Sequence, residues 1–241
     1  MAVCLNIATY ERTPLLRRSL QRLREKPTQP DEIVVVDDGG SDGCELIPGE
    51  FPDLPIRYLY THHPGQQCCS HAHNVGLVAT EAEFVLCAEP EVMFETDVVG
   101  ELLAGHVAHG QMATAGTARK VQADGTVKTV ACGEPYAALY RRDWLMEIGG
   151  WDEGFEVWGW EDIDLFTRIS IRFGVGQWRE RQTIVTHQYH PQAEPAISHG
   201  PNHRRFMSKG FHPRRRPDDP DVVIPRGPDF GRPLMRSSGG S

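Results

Sequence analysis

No stretch of this chain approaches the ~18 consecutive apolar residues of a membrane-spanning helix, so no transmembrane segment is expected. The start, Met1-Ala2-Val3-Cys4-Leu5, lacks the basic opening and long apolar region of a secretory signal. The six cysteines show no Cys-x-x-Cys spacing, which argues against a thiolate zinc site or a redox pair. Most of them sit in apolar runs, so reduced thiols and a cytoplasmic location are expected; Cys68-Cys69 reads as a pair of small helix residues. Neither Gly-x-Gly-x-x-Gly nor Gly-x-x-x-x-Gly-Lys-[Ser/Thr] occurs, which removes the two commonest phosphate-cradling loops. There is no internal repeat. Positive charge is in deficit, 25 Lys and Arg against 33 Asp and Glu, and a net charge of −8 argues against a surface that binds nucleic acid throughout.

What is present is an ordinary globular composition, 39% hydrophobic and 24% charged, in 241 residues, enough for one substantial core. Apolar runs and helical stripes alternate through the first half. Strands are predicted over 2–8, 32–38, 56–60 and 83–88, and helices over 13–26, 68–79 and 97–109, the first with Thr13 as N-cap and Pro14 at the first helical position. Strands and helices alternating at this spacing predict an α/β protein with a doubly wound, mostly parallel sheet. From 111 the strands shorten (112–118, 127–132, 136–140), then a helix is expected near 143–148, another over 163–173 and a strand over 177–186. The organisation expected is a first half over 1–110 with alternating strands and helices, a second half over 111–190 with shorter strands, and a basic, Pro/Gly-rich, partly disordered tail over 191–241 with few regular elements. Ser237 to Ser241 reads as linker material.

Three clusters carry chemistry. Ligands of doubly wound sheets sit at the carboxyl ends of the strands. Asp37-Asp38 closes the clearest strand ahead of Gly39-Gly40-Ser41-Asp42, where carboxylates can accept hydrogen bonds from a ribose or a base N–H, or simply make a turn. Glu89-Pro90-Glu91 follows the next strand; two carboxylates one residue apart can hold a hard divalent cation, with His187 or its near competitor His190 completing the shell. Trp158-Gly159-Trp160-Glu161-Asp162-Ile163-Asp164 opens a helix. Indole rings stack on the apolar face of a sugar, and a fixed carboxylate is a general base. An acidic first turn that merely complements the helix dipole explains the carboxylates but not the tryptophans.

Five segments in order then resemble the GT-A-fold glycosyltransferases of the family 2 type. They are Ile7-Ala8-Thr9-Tyr10-Glu11-Arg12, Val34-Val35-Val36-Asp37-Asp38-Gly39, Gly65 through Ala72-His73-Asn74-Val75-Gly76, Glu89-Pro90-Glu91, and Gly149-Gly150-Trp151-Asp152-Glu153 to Arg168. The last is similar to the acceptor side of the β-1,4-galactosyltransferases and chondroitin-polymerase-like enzymes. The resemblance implies that Thr9 and Glu11 flank the nucleotide, that Asp38 contacts the base with Asp37 nearby, and that His73 and Asn74 lie on the donor side. It implies Glu91 as metal ligand with Glu89 nearer the ribose, His187 as the histidine ligand, and Mn²⁺ or Mg²⁺ as cofactor. Asp162 is then the base, Glu161 orients the acceptor, and Trp158 stacks on it beside Trp160. Two departures stand out: glutamates replace the family's aspartates at the metal turn, and His73 stands where the family usually has arginine.

The function expected is inverting, metal-dependent transfer from a nucleotide diphosphate sugar, with UDP as the expected nucleotide, to a hydroxyl of a saccharide or glycoconjugate. Two alternatives stay open. Arg204, Arg205, Lys209 and Arg214 to Arg216 form a basic run that suits a polyanion, hence glycosylation of a modified base in DNA. A catalytically silent GT-A-like module that binds nucleotide or sugar is the other.

Overall fold

The computed structural model describes residues 1–61, 69–131, 136–155, 158–191 and 195–209. β1 (Val3–Thr9) is buried along its whole length and is followed by α1 (Thr13–Leu23). β2 (Glu32–Asp38) leads through a 3₁₀ turn to the one-turn α2 (Ile47–Glu50), then β3 (Ile56–Thr61) and α3 (Ser70–Ala79). β4 (Phe84–Ala88), the short β5 (Val92–Phe94) and α4 (Val98–His109) complete the first half. β6 (Met112–Val121), β7 (Val127–Ala131), β8 (Ala137–Arg141), α5 (Arg142–Ile148), α6 (Glu161–Phe173), β9 (Gln177–His187) and α7 (Pro195–Ser208) follow.

The nine strands among the described residues form one sheet in the order β3-β2-β1-β4-β8-β6-β9-β5, with β7 added on β6. Pairing is parallel from β3 to β4 and again between β6 and β9, and antiparallel at β4–β8, β6–β8, β6–β7 and β5–β9. The first-half alternation thus gives the parallel block expected of it, and residues on either side of 110 share one continuous sheet. Side chains alternate across it. Val3, Leu5 and Ile7 face α1 and α4, where Leu16, Leu20, Leu23, Val98 and Leu102 bury them. Cys4 and Ala8 face α3, and Val85 and Cys87 face α5 and α6. Each fully buried leucine or valine contributes roughly 1.5–3 kcal/mol, so the sheet is sealed on both sides.

Three local outcomes differ from the sequence reading. Thr13 is the first helical residue of α1, not its cap; the cap position is Arg12. Asp42, from the turn after β2, accepts from Thr13 N at 2.7 Å and Thr13 Oγ1 at 2.6 Å, so a distant carboxylate supplies the capping acceptor. β5 was not expected at all. The tail was expected to be irregular, yet α7 forms across Pro195–Ser208. Cys68, Cys132 and residues 210–241, with Arg214 to Arg216 among them, lie outside the described residues. Cys4, Cys44, Cys69 and Cys87 form no disulfide among the described residues, and no helix among the described residues is long and apolar enough to cross a membrane.

α3 lies against β1 because Gly76 lets it. A Cβ there would stand 2.2 Å from Oδ1 of Asn6, a fully buried side chain whose Nδ2 donates to His73 O at 2.9 Å. Gly76→Ala therefore overpacks the α3–β1 contact, and the unfolding midpoint in urea is expected to fall by about 1–3 kcal/mol equivalent.

Candidate active site

The carboxyl ends of β1 and β2 bring Thr9, Glu11, Asp37 and Asp38 together. Asp37 is engaged by the scaffold: Oδ1 accepts from Gly40 N at 2.7 Å and Oδ2 from the Tyr58 hydroxyl at 2.9 Å. Asp38 and Thr9 are different. Asp38 Oδ1 and Thr9 Oγ1 are buried with no hydrogen-bond partner among the described residues, an arrangement that a ligand's polar edge would complete. Burial pushes the Asp38 carboxyl up to about 7, with the nearby His71 opposing the rise. Glu11 adopts φ 51°, a left-handed conformation costly for a residue with a Cβ, and its Oε1 accepts from both Ser41 N and Ser41 Oγ. The backbone strain thus falls beside the unsatisfied oxygens.

His73 and Asn74, on α3, lie deeper. His73 stacks on Trp151 with ring centroids 4.9 Å apart, and burial pulls its imidazole down to about 4. It is neutral at pH 7 and supplies none of the charge of an arginine at that position. Asn74 is fully engaged: Oδ1 accepts from Trp151 N, while Nδ2 donates to Trp151 O and to Glu153 Oε1 at 2.6 Å. Glu153 Oε2 in turn meets His71 Nδ1 at 3.0 Å, and His71 Nε2 meets Thr61 Oγ1 at 3.0 Å. This fully buried chain ties the turn after α5 to α3 and to the end of β3. Sequence reasoning gave Glu153, His71 and Thr61 no role, because nothing in the local pattern marks three polar residues as neighbours.

The metal turn is completed by β5. Its antiparallel register pairs Val92 with His187, the last residue of β9, and so swings His187 beside Glu89-Pro90-Glu91. Gln188 fixes the turn from behind, donating from Nε2 to Leu15 O, Ser19 Oγ and Glu91 O. Ligand atoms of Glu91, His187 and His190 all lie within 4.8 Å of one another. His190 Nε2 is 2.7 Å from Glu91 Oε1 and His187 Nε2 is 3.8 Å from it, so the choice between the two histidines dissolves: both face the carboxylate. Glu89 stands outside that trio, half exposed, with Oε2 3.4 Å from His187 Nε2. Arg12 Nη1 also reaches Glu91 Oε1, at 2.7 Å. Burial alone would push the Glu91 carboxyl up, but His190 and Arg12 outweigh it and hold it below the usual carboxylate range. Glu91 Oε2 is buried without a partner. One carboxylate with an unused oxygen and two imidazoles is a donor set that fits a divalent cation.

The Trp158-to-Asp164 segment is set by α6 (Glu161–Phe173). Gly159 at φ 97° and Trp160 at φ 77° swing the chain into the helix, so Glu161 and Asp162 occupy its first turn and the helix starts two residues before the expected 163. Glu161 is buried and Asp162 is half-buried. Asp162 lies near enough to the end of β4 that, after burial itself, its charge helps raise the Cys87 thiol and the Tyr140 hydroxyl. Asp164 is fully buried on Arg168 Nε at 2.7 Å, and Arg168 Nη1 donates to Ile148 O and Gly150 O. The Trp160 ring packs against α7, 4.5 Å from His203 and 5.3 Å from Phe206 between centroids. Of the basic tail residues, Arg205 and Lys209 are ion-paired inside the molecule, Arg205 to Asp152 and Lys209 to Asp152 and Asp164.

With this geometry in view, comparison with known proteins is informative. Residues 4–131, more than half of the chain, match the profile of glycosyl transferase family 2, and residues 135–191 match the N-terminal domain of galactosyltransferase. The chain belongs to glycosyl transferase family 2. The putative glycosyltransferase EpsH of Bacillus subtilis (strain 168) is 28% identical over 102 residues, 42% of this chain and 29% of that protein. Validoxylamine A glucosyltransferase of Streptomyces hygroscopicus subsp. limoneus is 32% identical over 103 residues, again 42% of this chain and 22% of that protein. The match thus spans less than a third of either relative. Among solved structures, S. aureus TarS 1-349 with UDP-GlcNAc superposes with a TM-score of 0.64 at 15% identity, over 82% of this chain and 61% of that one. GalNAc-T7 with UDP, GalNAc and Mn²⁺ gives 0.67 at 15% identity, over 86% and 48%. The Pyrobaculum calidifontis mannosyltransferase PcManGT with GDP-Man and Mn²⁺ gives 0.58 at 19% identity, over 84% and 60%. The fold is the GT-A fold.

Asp152 makes one prediction testable without substrate. Burial favours its neutral form, but hydrogen bonds from Arg205 and Lys209 outweigh that and hold the carboxyl at about 2, below its ordinary 3.8. A carboxyl more acidic folded than unfolded stabilises the fold fully above about pH 4, and that contribution is lost as the pH falls toward 2, here roughly 2 kcal/mol. Urea unfolding across pH 2–5 is expected to show a shallower slope for Asp152→Asn than for the wild type, with the two converging at the acid end.

Proposed function

We propose that this chain is an inverting glycosyltransferase that moves a sugar from a nucleotide diphosphate sugar, a UDP-sugar being the expected donor, to a hydroxyl of a saccharide or glycoconjugate. The observation that carries the reading is the Glu91–His187–His190 cluster just after the carboxyl end of β4, with Asp162 near enough to Cys87 in β4 for its charge to bear on that thiol. Thr9 and Asp38 meet the nucleotide, Asp38 Oδ1 accepting a base N–H that returns its carboxylate to the charged form. Glu91, His187 and His190 hold the cation, with Glu89 beside His187 toward the ribose. Two imidazoles favour Mn²⁺ over the strictly oxygen-seeking Mg²⁺. When bound, that cation neutralises the charge of the departing diphosphate.

Asp162 takes the proton of the acceptor hydroxyl as its oxygen attacks the anomeric carbon from the face opposite the diphosphate. A carbon–oxygen bond to the acceptor forms, the bond to the diphosphate breaks, and the electron pair leaves with the diphosphate. Glu161 orients the acceptor and Trp158 offers the stacking face. Cysteines that form no disulfide among the described residues fit a reducing, cytoplasmic setting. The DNA alternative loses support, because Arg205 and Lys209 already have internal carboxylate partners.

Asp162→Asn is expected to lower nucleotide release by about 10²–10⁴-fold while nucleotide affinity stays unchanged. A silent binding module would show no turnover to lose, and turnover that survives the substitution would remove Asp162 as base. Glu91→Gln is expected to weaken Mn²⁺ binding by about tenfold or more, since a charged ligand becomes neutral; equal Mn²⁺ titrations of the two proteins would dismiss the cation site.

A further inference from the structure

Helix α7, the last among the described residues, lies beyond both matched stretches, 4–131 and 135–191, yet side chains from it and from Lys209 just after it converge on residues 152–160 on the approach to Asp162, of which 156 and 157 lie outside the described residues. Arg205 grips Asp152 two-handed, Nε on Oδ2 at 3.0 Å and Nη2 on Oδ1 at 2.6 Å. Lys209 Nζ bridges Asp152 Oδ2, at 2.5 Å, and Asp164 Oδ1. Both cations also lie over the Phe155 ring. Asn202 Nδ2 donates to Gly159 O at 2.9 Å, and the Trp160 ring packs on His203 and Phe206. The fit is close. A Cβ on Gly154 would stand 2.0 Å from Arg205 Nη2.

Charge bookkeeping shows what these contacts do. Asp152 is 1% exposed and Asp164 not at all, while among the described residues Arg168 is the one buried arginine or lysine, already bonded to Asp164. Without Arg205 and Lys209, Asp152 would be a buried carboxylate with no ionic partner, an arrangement that costs several kcal/mol. Relief would come from swinging residue 152 toward water, and with it the strained Gly159-Trp160 entry into α6. Asp162 sits two residues before Asp164, so its placement depends on this clamp.

We propose that Arg205 and Lys209 are positioning residues for glycosyl transfer, holding residues 152–155, residues 158–160 and the first turn of α6 in the geometry in which Asp162 works; the proposal rests on the function inferred above. The helix formed within the basic stretch is then a support for the first turn of α6.

The test compares the full chain with Lys209→Met, Arg205→Met, Lys209→Arg and Gly154→Ala by nucleotide release, nucleotide titration and amide hydrogen exchange over 158–166. The two methionine variants are expected to lower kcat by roughly 10- to 100-fold, as a misplaced catalytic group does, with nucleotide affinity unchanged. Amides in the first turn of α6 exchange faster in them, and Lys209→Arg restores both readouts. Gly154→Ala, which displaces Arg205 without removing a charge, moves kcat the same way. Unchanged kcat and exchange in the variants overturn the proposal, as does a parallel loss of nucleotide affinity, which would report general loosening. A wild type that releases no nucleotide from any donor defeats the transfer reading instead, and the exchange comparison then decides the clamp by itself.

Discussion

Two adjacent buried carboxylates, Asp152 and Glu153, hold the two sides of this molecule in register. They point in opposite directions. Glu153 reaches down to His71 and Asn74 on α3, the helix packed against β1 and β2. Asp152 reaches up to Arg205 on α7 and to Lys209 just past its end. Neither acid is tolerable in a core alone, and each is made so by fixed donors. A turn pinned from both faces has one position, and α3 and α7 are therefore placed relative to each other by it.

The remaining strain sits where chemistry is expected. The two non-glycine residues with left-handed backbone among the described residues are Glu11, beside Thr9 and Asp38, and Trp160, immediately before Glu161 and Asp162. Such conformations persist only where surrounding contacts over-determine them. Ser41 does this for Glu11, and α7 does it for Trp160. At the metal turn Gln188 plays the corresponding part, tying Glu91 O to α1.

Much of this was legible in the chain. β2 announces itself by an unbroken Ile33 to Val36 run ended by Asp37-Asp38, and the order of motifs led to the GT-A fold that the solved structures share. What was not legible depended on contacts between distant segments. β5 is three residues long, too short for alternation to register, yet its pairing with β9 is what joins Glu91 to His187. His190 was one of eleven histidines until the fold set it 2.7 Å from Glu91. α7 contains Pro201 and reads as coil by propensity; its helix is sustained by Asp152, Asp164 and Trp160, partners no local window contains.

The measurement that bears most directly on the account is nucleotide release by the full chain over a panel of nucleotide diphosphate sugars, with Mn²⁺ and with chelator. The account predicts release of a single nucleotide from one donor class, present with Mn²⁺ and absent with chelator. Failure of every nucleotide and nucleotide sugar to bind, at any cation concentration, would contradict it.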